Sequence, residues 1–362
     1  MHHDSHRSAA CLLSATAAML SSFGLCSAAQ AQATGSATVY GLMDSYLEYR
    51  THNSASGKAG KVLNSGGMNT SRWGLRGTED LGTGLKVVFQ LESEIALDTG
   101  NAGSAFWGRQ ANVGLDGRFG RVVMGRSYST TYDFILPFDP MGYAPVYSWA
   151  TSAGATGGRK DGMVTGVSNL VKYRGEVGGL RVGATYGFGE SEGPVSDRAT
   201  AVLAASYTWG GLSGVITAEQ INGTTVATGR DQTRTYHVGG SYDFGKVKLY
   251  GVLRRYDKAF GIGGADNTSR TAWAGVSYQA TPALTLAAAY YRQGIRSSNT
   301  PAGVGGPSLV SLRARYGLSK RTDLYAMLGF ADAKAGVVGL SRDDVAFGSS
   351  QTGVAAGIQH RF

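Results

Sequence analysis

Basic side chains recur on one face of alternating segments, and this arrangement has a clear chemical consequence. Arg313 and Arg315 lie two residues apart in VSLRARYGL, Arg72 and Arg76 lie four apart in SRWGLRG, and Arg181 holds a similar place in LRVGATYGF. In an extended chain, residues separated by an even number project from one face. Guanidinium groups stay protonated at neutral pH, so they do not serve as acids or bases, but a row of them attracts anions. The spacing therefore predicts a positively charged wall.

The acidic side chains that could oppose this wall lie in one long connection. Residues 128 to about 165 read YSTTYDFILPFDPMGYAPVYSWATSAGATGGRKDGMVT and contain Asp133, Asp139 and Asp161. Connections of this length without regular structure are functional or disordered. Because the segment is rich in aromatic residues and proline, we expect a packed functional loop, with an ordinary surface lid as the alternative.

No catalytic or metal-ligating arrangement can be assembled from the remaining residues, so we predict neither an enzyme nor a cofactor or metal site. Three of the six histidines stand among the first six residues, and the other three are His52, His237 and His360. Their scatter fits no metal spacing or catalytic triad. The weaker enzymatic alternative is a membrane protease or lipase barrel. The net charge is +9, yet no run of five basic residues occurs, which argues against a nucleic-acid partner.

The first 33 residues differ from the rest of the chain. Arg7 precedes an apolar, serine-containing stretch that ends in AQA. This order is typical of a secretory signal peptide, with cleavage after Ala33 or Ala31. Both cysteines, Cys11 and Cys26, lie in this segment, so the mature chain has no thiol. A membrane-anchoring N-terminus is the alternative.

Segments of about ten residues with two-residue alternation must position the arginines. In VSLRARYGL, for example, Val310 and Leu312 fall on the face opposite Arg313 and Arg315. About sixteen such segments are present: 37–50, 66–77, 84–95, 105–116, 120–127, 166–175, 179–188, 198–209, 213–222, 233–243, 247–256, 269–279, 283–294, 306–316, 322–332 and 350–362. An even number of such segments is typical of a closed antiparallel barrel in a membrane.

Connections and aromatic residues agree with this interpretation. Tight connections such as DFGK alternate with longer polar ones, as in membrane barrels. Tyr186 and Phe188, Tyr242 and Phe244, and the terminal Phe362 stand at strand ends, where membrane barrels carry interfacial aromatics. We therefore predict an all-β, 16-stranded antiparallel transmembrane β-barrel over residues 34–362 in the outer membrane of a Gram-negative cell. A soluble β-sandwich or propeller is the alternative.

Four stretches resemble the general trimeric porins of Gram-negative bacteria, of the beta-proteobacterial and neisserial type. They are ATVYGLMDSYLEY, SRWGLRGTEDLGTGLKVVFQLESEI, FWGRQANVGLDGRFGRVVMGRSY and the terminal GIQHRF. The resemblance implies a homotrimer whose third external loop, about 128–165, folds inward to narrow the pore. It also implies that Phe362 is a signal for the barrel assembly machinery, and that outer-membrane lipid and lipopolysaccharide surround the barrel.

In this family, arginines on the wall face acids on the constriction loop. Arg72 and Arg109 match wall arginines, although strict alternation would aim Arg109 outward unless a bulge or a lean at the strand start turned it inward. The third family arginine is Gly166 here. Lys172 and Arg174, or Arg159 and Lys160 from the loop, are expected to replace it in part, and Arg76 joins Arg72 on the inner face. Asp133 and Asp139 match acidic or polar family positions on the loop, and Tyr143 stands near a family glutamate. Arg126 is expected to be structural.

The predicted function is a water-filled diffusion channel for small hydrophilic solutes and ions. Inward bases, including Arg181, Arg313 and Arg315 on the lumen wall, outnumber the loop acids, so we expect small anions to be preferred. The alternatives are a saturable channel for sugars or organic anions and a structural barrel with a plugged interior.

Overall fold

A computed structural model describes residues 35–151, 161–227, 229–261, 267–295, 306–334, 336–341 and 347–362. Within these ranges the chain forms seventeen strands, the helix α1 (Thr130–Ile135) and one 3-10 turn (Leu136–Phe138). The strands are β1 (Ser36–Arg50), β2 (Gly60–Ser65), β3 (Arg72–Asp80), β4 (Lys86–Glu94), β5 (Gln110–Gly117), β6 (Gly120–Tyr128), β7 (Gly166–Val177), β8 (Leu180–Gly187), β9 (Thr200–Trp209), β10 (Leu212–Asn222), β11 (Gln232–Asp243), β12 (Val247–Ala259), β13 (Asn267–Gln279), β14 (Leu284–Ile295), β15 (Ser308–Gly317), β16 (Thr322–Asp332) and β17 (Ser350–Arg361). No helix in the described ranges is long and apolar enough to cross a membrane.

The strands form one closed antiparallel sheet. From β3 onward each strand pairs with the next, and β17 returns to pair with residues 42–50 of β1. The other edge of β1 carries two strands end to end, because β3 pairs with residues 36–42 and β2 with residues 45–50. β2 and β3 therefore share one position in the wall. The prediction of a sixteen-stranded antiparallel barrel is confirmed.

Among the predicted segments, the second differs because its chain leaves the sheet in the middle. A continuous strand over 66–77 was expected, but the strands are Gly60–Ser65 and Arg72–Asp80. The buried carboxylate of Asp44 accepts hydrogen bonds from the backbone N–H groups of Gly67, Met68 and Asn69 at 2.9–3.1 Å. These amides are satisfied by a side chain, so the interruption leaves no unpaired donors among the three.

Apolar side chains cover the outside of the wall, and the inside carries polar side chains together with the apolar ones that pack against the segment between β6 and β7. On β15, Val310 and Leu312 are 42% and 44% exposed, while Ser311 between them is fully buried. The register places Arg313 beside Met327, an inward-facing residue of β16. An arginine facing mid-bilayer lipid costs about 2–4 kcal/mol, so inward placement is strongly favoured. The predicted alternation is therefore present with its apolar face outward.

Aromatic residues mark both ends of the apolar belt. Tyr242 and Phe244 stand beside the tight turn after β11, with ring centroids 4.4 Å apart. Tyr186 and Phe188 stand at the opposite end of the wall, where β8 enters a long connection, with centroids 5.0 Å apart. Such paired belts sit at the two interfaces of a bilayer.

The largest buried apolar cluster lies inside the barrel. It joins residues of the segment between β6 and β7, such as Phe134, Tyr147 and Trp149, to inward side chains such as Trp273 and Met327. One side of the lumen is thus filled by this segment. The remaining space is the site described next.

Candidate pore constriction

The segment 129–165 is tied together at its base, and we call it the constriction loop. Ser129 caps α1: its Oγ accepts a hydrogen bond from the Tyr132 N–H at 3.0 Å. The same hydroxyl donates to the Val164 carbonyl at 2.6 Å, and the Ser129 N–H donates to the Thr165 carbonyl at 2.9 Å. The loop therefore leaves and rejoins the wall at one place.

Polar side chains of the inner wall hold the loop against strands far along the chain. Trp273 Nε1 donates to the Phe138 carbonyl at 3.1 Å, and Arg313 Nη1 donates to the Met141 carbonyl at 2.8 Å. The Tyr147 hydroxyl crosses to Glu48 Oε1 on β1 at 2.8 Å. The first two contacts satisfy carbonyls of buried loop residues, and the third satisfies a buried carboxylate of the wall.

Two inward-facing glycines allow the loop to approach the wall. A Cβ added to Gly353 would lie 2.3 Å from Tyr147 Oη, and one added to Gly275 would lie 2.4 Å from Pro140 Cγ. Neither distance is sterically possible without movement. The wall is therefore shaped to receive the loop at these points.

A cavity of about 1040 Å³ remains between the loop and the wall, and it is bordered mainly by β1–β7 and also by Ile221, Thr233 and Tyr256 of β10–β12. Arg72, Arg109 and Glu92 line it from the wall, and Tyr132 and Asp133 line it from the loop. The predicted wall arginines and one predicted loop acid thus border a common space.

Glu92 organises the charges on the wall. Its Oε1 accepts a hydrogen bond from Arg109 Nε at 2.8 Å, and its Oε2 lies 3.7 Å from Arg72 Nε. The Tyr40 hydroxyl donates to Oε2 at 2.8 Å. Sequence analysis assigned Glu92 no role. The available signal was its phase, which it shares with Gln90.

Arg109 faces inward because it is not part of the alternation. β5 begins at Gln110, and Arg109 precedes it, with its backbone N–H bonded to the Glu92 carbonyl at 3.2 Å. Its guanidinium lies 5.5 Å from the centre of the Tyr128 ring. The register of β4 with β5 shows no shift, and Arg109 borders the lumen from just before the start of the strand.

Three further predicted bases lie on the inner wall on the other side of the loop. Lys172 Nζ contacts Asp133 Oδ2 at 2.5 Å and donates to the Tyr128 carbonyl at 2.8 Å. Arg76 is exposed, with its guanidinium 4.8 Å from the centre of the Tyr40 ring. Arg174 is exposed and pairs in register with Arg121.

Asp139 does not face the pore, contrary to expectation. Its side chain is buried and accepts hydrogen bonds from the Tyr143 N–H at 2.7 Å, Ser148 Oγ at 2.8 Å and Tyr291 Oη at 2.5 Å. It therefore shapes the loop and joins it to β14. Tyr143 is also buried, and burial raises the pKa of its phenol well above the usual value, so it supplies no negative charge in place of the family glutamate.

Asp161, the third loop acid, is also buried. Gln293 Nε2 donates to its Oδ2 at 2.7 Å. Arg254, which sequence reasoning missed, is buried beside it and donates to the Ala150 and Asp161 carbonyls at 2.6 and 3.1 Å. The sequence signal for Arg254 was the pair of adjacent arginines in LRRY, because neighbouring residues of a strand point to opposite faces and one of the two has to face inward.

Arg126 occupies space next to the glycine that replaces the third family arginine. A Cβ added to Gly166 would lie 3.6 Å from Arg126 Nη2. Arg126 Nε donates to the Gly108 carbonyl at 2.6 Å, and its Nη1 donates to Ser168 Oγ at 2.6 Å, in keeping with a structural role. Arg159 and Lys160 lie outside the described residues.

The remaining predicted wall arginines also project inward. Arg181 lies over the Phe134 ring, 4.8 Å from its centre, and Arg313 contacts the loop. Arg315 shares the inward face with Arg313 and is partly exposed. Two of these arginines, Arg181 and Arg313, therefore contact the loop, and Arg315 remains partly exposed.

Known proteins share this sequence and architecture. A family profile described as Gram-negative porin matches residues 14–336. Outer membrane porin protein 32 of Delftia acidovorans is 33% identical over 356 residues, covering 93% of this chain and 97% of that protein. The anion-selective porin from Comamonas acidovorans superposes with a TM-score of 0.77 at 31% identity, covering 91% of this chain and 100% of that one.

The trimer form of OmpT from Vibrio cholerae superposes with a TM-score of 0.68 at 19% identity, covering 91% of this chain and 99% of that one. This likeness shows the fold alone. The profile match and the Delftia relative show more, because both extend over most of the chain. The protein belongs to the Gram-negative porins and resides in the outer membrane as a multi-pass β-barrel channel.

Proposed function

We propose that this porin is a general diffusion channel that prefers small anions. The observation that carries the proposal is the ion pair between Asp133 and Lys172. Among the acids of the described loop residues, Asp133 is the one that borders the open cavity. Arg76 and Arg174 are exposed on the inner wall beside this pair and add positive charge toward the lumen. The similar porin from Comamonas acidovorans is described as anion-selective.

Reversal potentials across a planar bilayer in a KCl gradient test this proposal. Anion preference predicts the sign set by chloride moving down its gradient. A reversal potential with the sign set by potassium would contradict the proposed selectivity, but it would not contradict the proposed channel function.

A saturable channel for sugars or organic anions is the second candidate. Tyr128 and Tyr132 line the cavity with their rings stacked at 4.3 Å, and each combines an apolar ring with a polar hydroxyl, as contacts to a sugar require. Liposome swelling with sugars of graded size separates the candidates. A general channel gives rates that fall with solute size, a specific channel gives uptake that saturates, and a plugged barrel gives none.

We further propose a homotrimer, as the resemblance implies, with the trimer form of OmpT as structural precedent for the fold. Light scattering on the detergent-solubilised protein, corrected for bound detergent, tests the subunit number. We also propose that Phe362 is read by the barrel assembly machinery during biogenesis. The residue is 43% exposed, so its side chain is accessible to a binding partner.

A further inference from the structure

Residues 66–70 form a turn that lies inside the barrel, and we call it the inner turn. On β1, Leu47 is 62% exposed on the outer surface, whereas Asp44 is fully buried on the inner face. The Asp44 carboxylate accepts hydrogen bonds from three backbone N–H groups of the turn and from Tyr325 Oη at 2.5 Å. Because its partner faces inward, the inner turn lies in the lumen and not on the lipid side.

Two glycines allow the chain to turn inward at this point. Gly66 has a φ of +83°, in the left-handed region that glycine adopts at little cost. The Gly66 N–H donates to the Asp44 carbonyl at 2.8 Å and closes the base of the turn. Gly67 packs against the wall, since a Cβ there would lie 2.4 Å from Tyr325 Oη and 2.8 Å from Tyr46 Cδ1. The inner turn therefore has a defined conformation against the wall.

The inner turn contacts both the constriction loop and a wall arginine. The Val146 N–H of the loop donates to the Gly67 carbonyl at 3.4 Å. Met68 is buried in the apolar cluster that also holds the loop. Arg72 Nη1 donates to the Thr70 carbonyl at 2.9 Å, so the turn also fixes the direction of this guanidinium.

Polar side chains of the inner turn border the cavity of the candidate constriction. Asn69 and Thr70 line this cavity, as do Tyr143 and Val146 of the constriction loop. Asn69 and Thr70 are half-buried and carry no charge. Asn69 Nδ2 donates to Gln359 Oε1 at 2.5 Å, which holds the amide against the wall. The cavity is therefore bordered by two segments that leave the barrel wall, the constriction loop and the inner turn.

We propose that the inner turn is a second constricting element of the pore. Asn69 and Thr70 contact passing solutes, and Asp44 is the positioning residue that holds the turn in the lumen. The Asp44 carboxylate is satisfied locally by its four donors, so it acts through the position of the turn. Hydrogen-bonding groups and the diameter at the narrowest part of a pore determine which solutes pass. The inference rests on the proposed diffusion channel and is independent of its ion preference.

Substituted-cysteine labelling tests whether the inner turn borders the passage. Positions 34–362 contain no cysteine, and the wild type treated with the same reagent gives the baseline. After reaction with a methanethiosulfonate that attaches a sulfonate group, T70C should lose about half of its single-channel conductance, because the group occupies cross-section at the narrowest point. Recording in 1 M KCl, where the Debye length is about 3 Å, screens the added charge. S56C, at an exposed serine between β1 and β2, should keep its conductance.

The variant D44N tests the positioning role, with D197N as its control. Asp197, in the connection between β8 and β9, is also buried and accepts a hydrogen bond from the Thr225 N–H at 3.0 Å. Both variants should therefore lose stability. D44N alone should raise the single-channel conductance, by about 1.5-fold or more, and admit larger sugars in liposome swelling, because the inner turn is released from the wall. A merely structural role of Asp44 would leave the conductance of folded channels unchanged.

Two results overturn the proposal. Complete labelling of T70C without a fall in conductance, or a thiol that reacts only after denaturation, excludes Thr70 from the passage. Equal conductance of folded D44N, D197N and wild type excludes Asp44 as the positioning residue. If D44N does not fold, the labelling of T70C decides. A wild-type protein that does not conduct would contradict the proposed channel function instead.

Discussion

Lys172 on the barrel wall and Asp133 on the constriction loop form an ion pair, with Nζ and Oδ2 2.5 Å apart. The Lys172 side chain is 11% exposed and that of Asp133 is 27% exposed, so water reaches the acid more freely than the base. The pair bridges the loop and the wall and cancels the one loop carboxylate, among the described residues, that borders the cavity.

Removing either partner of this pair should move ion selectivity in opposite directions. K172M should lower the chloride-to-potassium permeability ratio, because it exposes the Asp133 carboxylate, and D133N should raise it. A unit charge about 8 Å from the ion path in water changes an ion's energy by about 0.5 kcal/mol, so a change of about two- to fivefold is expected. Reversal potentials at 0.1 M salt measure it, with K320Q at the tight-turn end as a matched control.

If K172M and D133N shift the ratio in the same direction, the pair acts through the position of the loop and not through charge. The double variant K172M/D133N distinguishes these explanations further. Charge alone predicts a ratio between those of the single variants.

Glu92 should restrain the positive field of the constriction. E92Q leaves Arg109 and Arg72 without their shared carboxylate, so the chloride-to-potassium ratio should rise. The free energy of unfolding should fall by about 1–3 kcal/mol, because buried charge-assisted hydrogen bonds are lost. Reversal potential and the temperature of heat-modification measure the two effects.

Glu94 supplies the control for this prediction. Its side chain is 47% exposed and lies 3.7 Å from Arg109 Nη1, so E94Q should alter stability little. Equal loss of stability in E92Q and E94Q would contradict the role assigned to Glu92.

Docking of the loop should depend on glycine at Gly353. G353V introduces atoms into space held by Tyr147 and Leu340, whose nearest atoms would lie 2.3 and 2.6 Å from the new Cβ. The loop should leave the wall and give larger or noisier single-channel currents. G251V is the matched control, because a Cβ there meets nothing within 4 Å.

A second substitution checks the cause of this effect. Y147A in the G353V background removes most of the clash and should restore part of the wild-type current pattern. Wild-type currents in G353V alone would show that the loop does not need this close approach.

Strands could be predicted from the sequence because their signal is local. The period of two predicted β16 at 322–332, which are its observed bounds. It failed over 66–71, where the cause is the side chain of Asp44, more than twenty residues earlier. Periodicity contains no information about such a partner.

Constriction residues on strands could likewise be placed, and those on the loop could not. Phase alone places Arg76 and Lys172 on the inner wall. Asp133 and Asp139 have the same side-chain chemistry, yet one borders the cavity and the other is buried against Tyr291. Their difference arises from tertiary packing of a segment that has no repeating pattern.

Phe362 closes the barrel at the same point at which we expect it to be recognised. Its backbone exchanges two hydrogen bonds of 3.1 Å with Gly41, and its ring covers that glycine, since a Cβ there would lie 2.3 Å from the ring. F362A keeps the backbone pairing and removes the ring.

If the ring is an assembly signal, F362A should lower the amount of folded protein in the outer membrane several-fold yet refold into detergent micelles at the wild-type rate. G41A disturbs the same packing while it retains the aromatic side chain, so it should assemble in cells better than F362A. Equal defects of F362A and G41A, both in cells and in refolding, would mean that the ring acts by sealing the wall and not as a signal. Immunoblots of unheated membrane fractions measure the folded protein in cells, and the gel shift of the refolding mixture measures the rate.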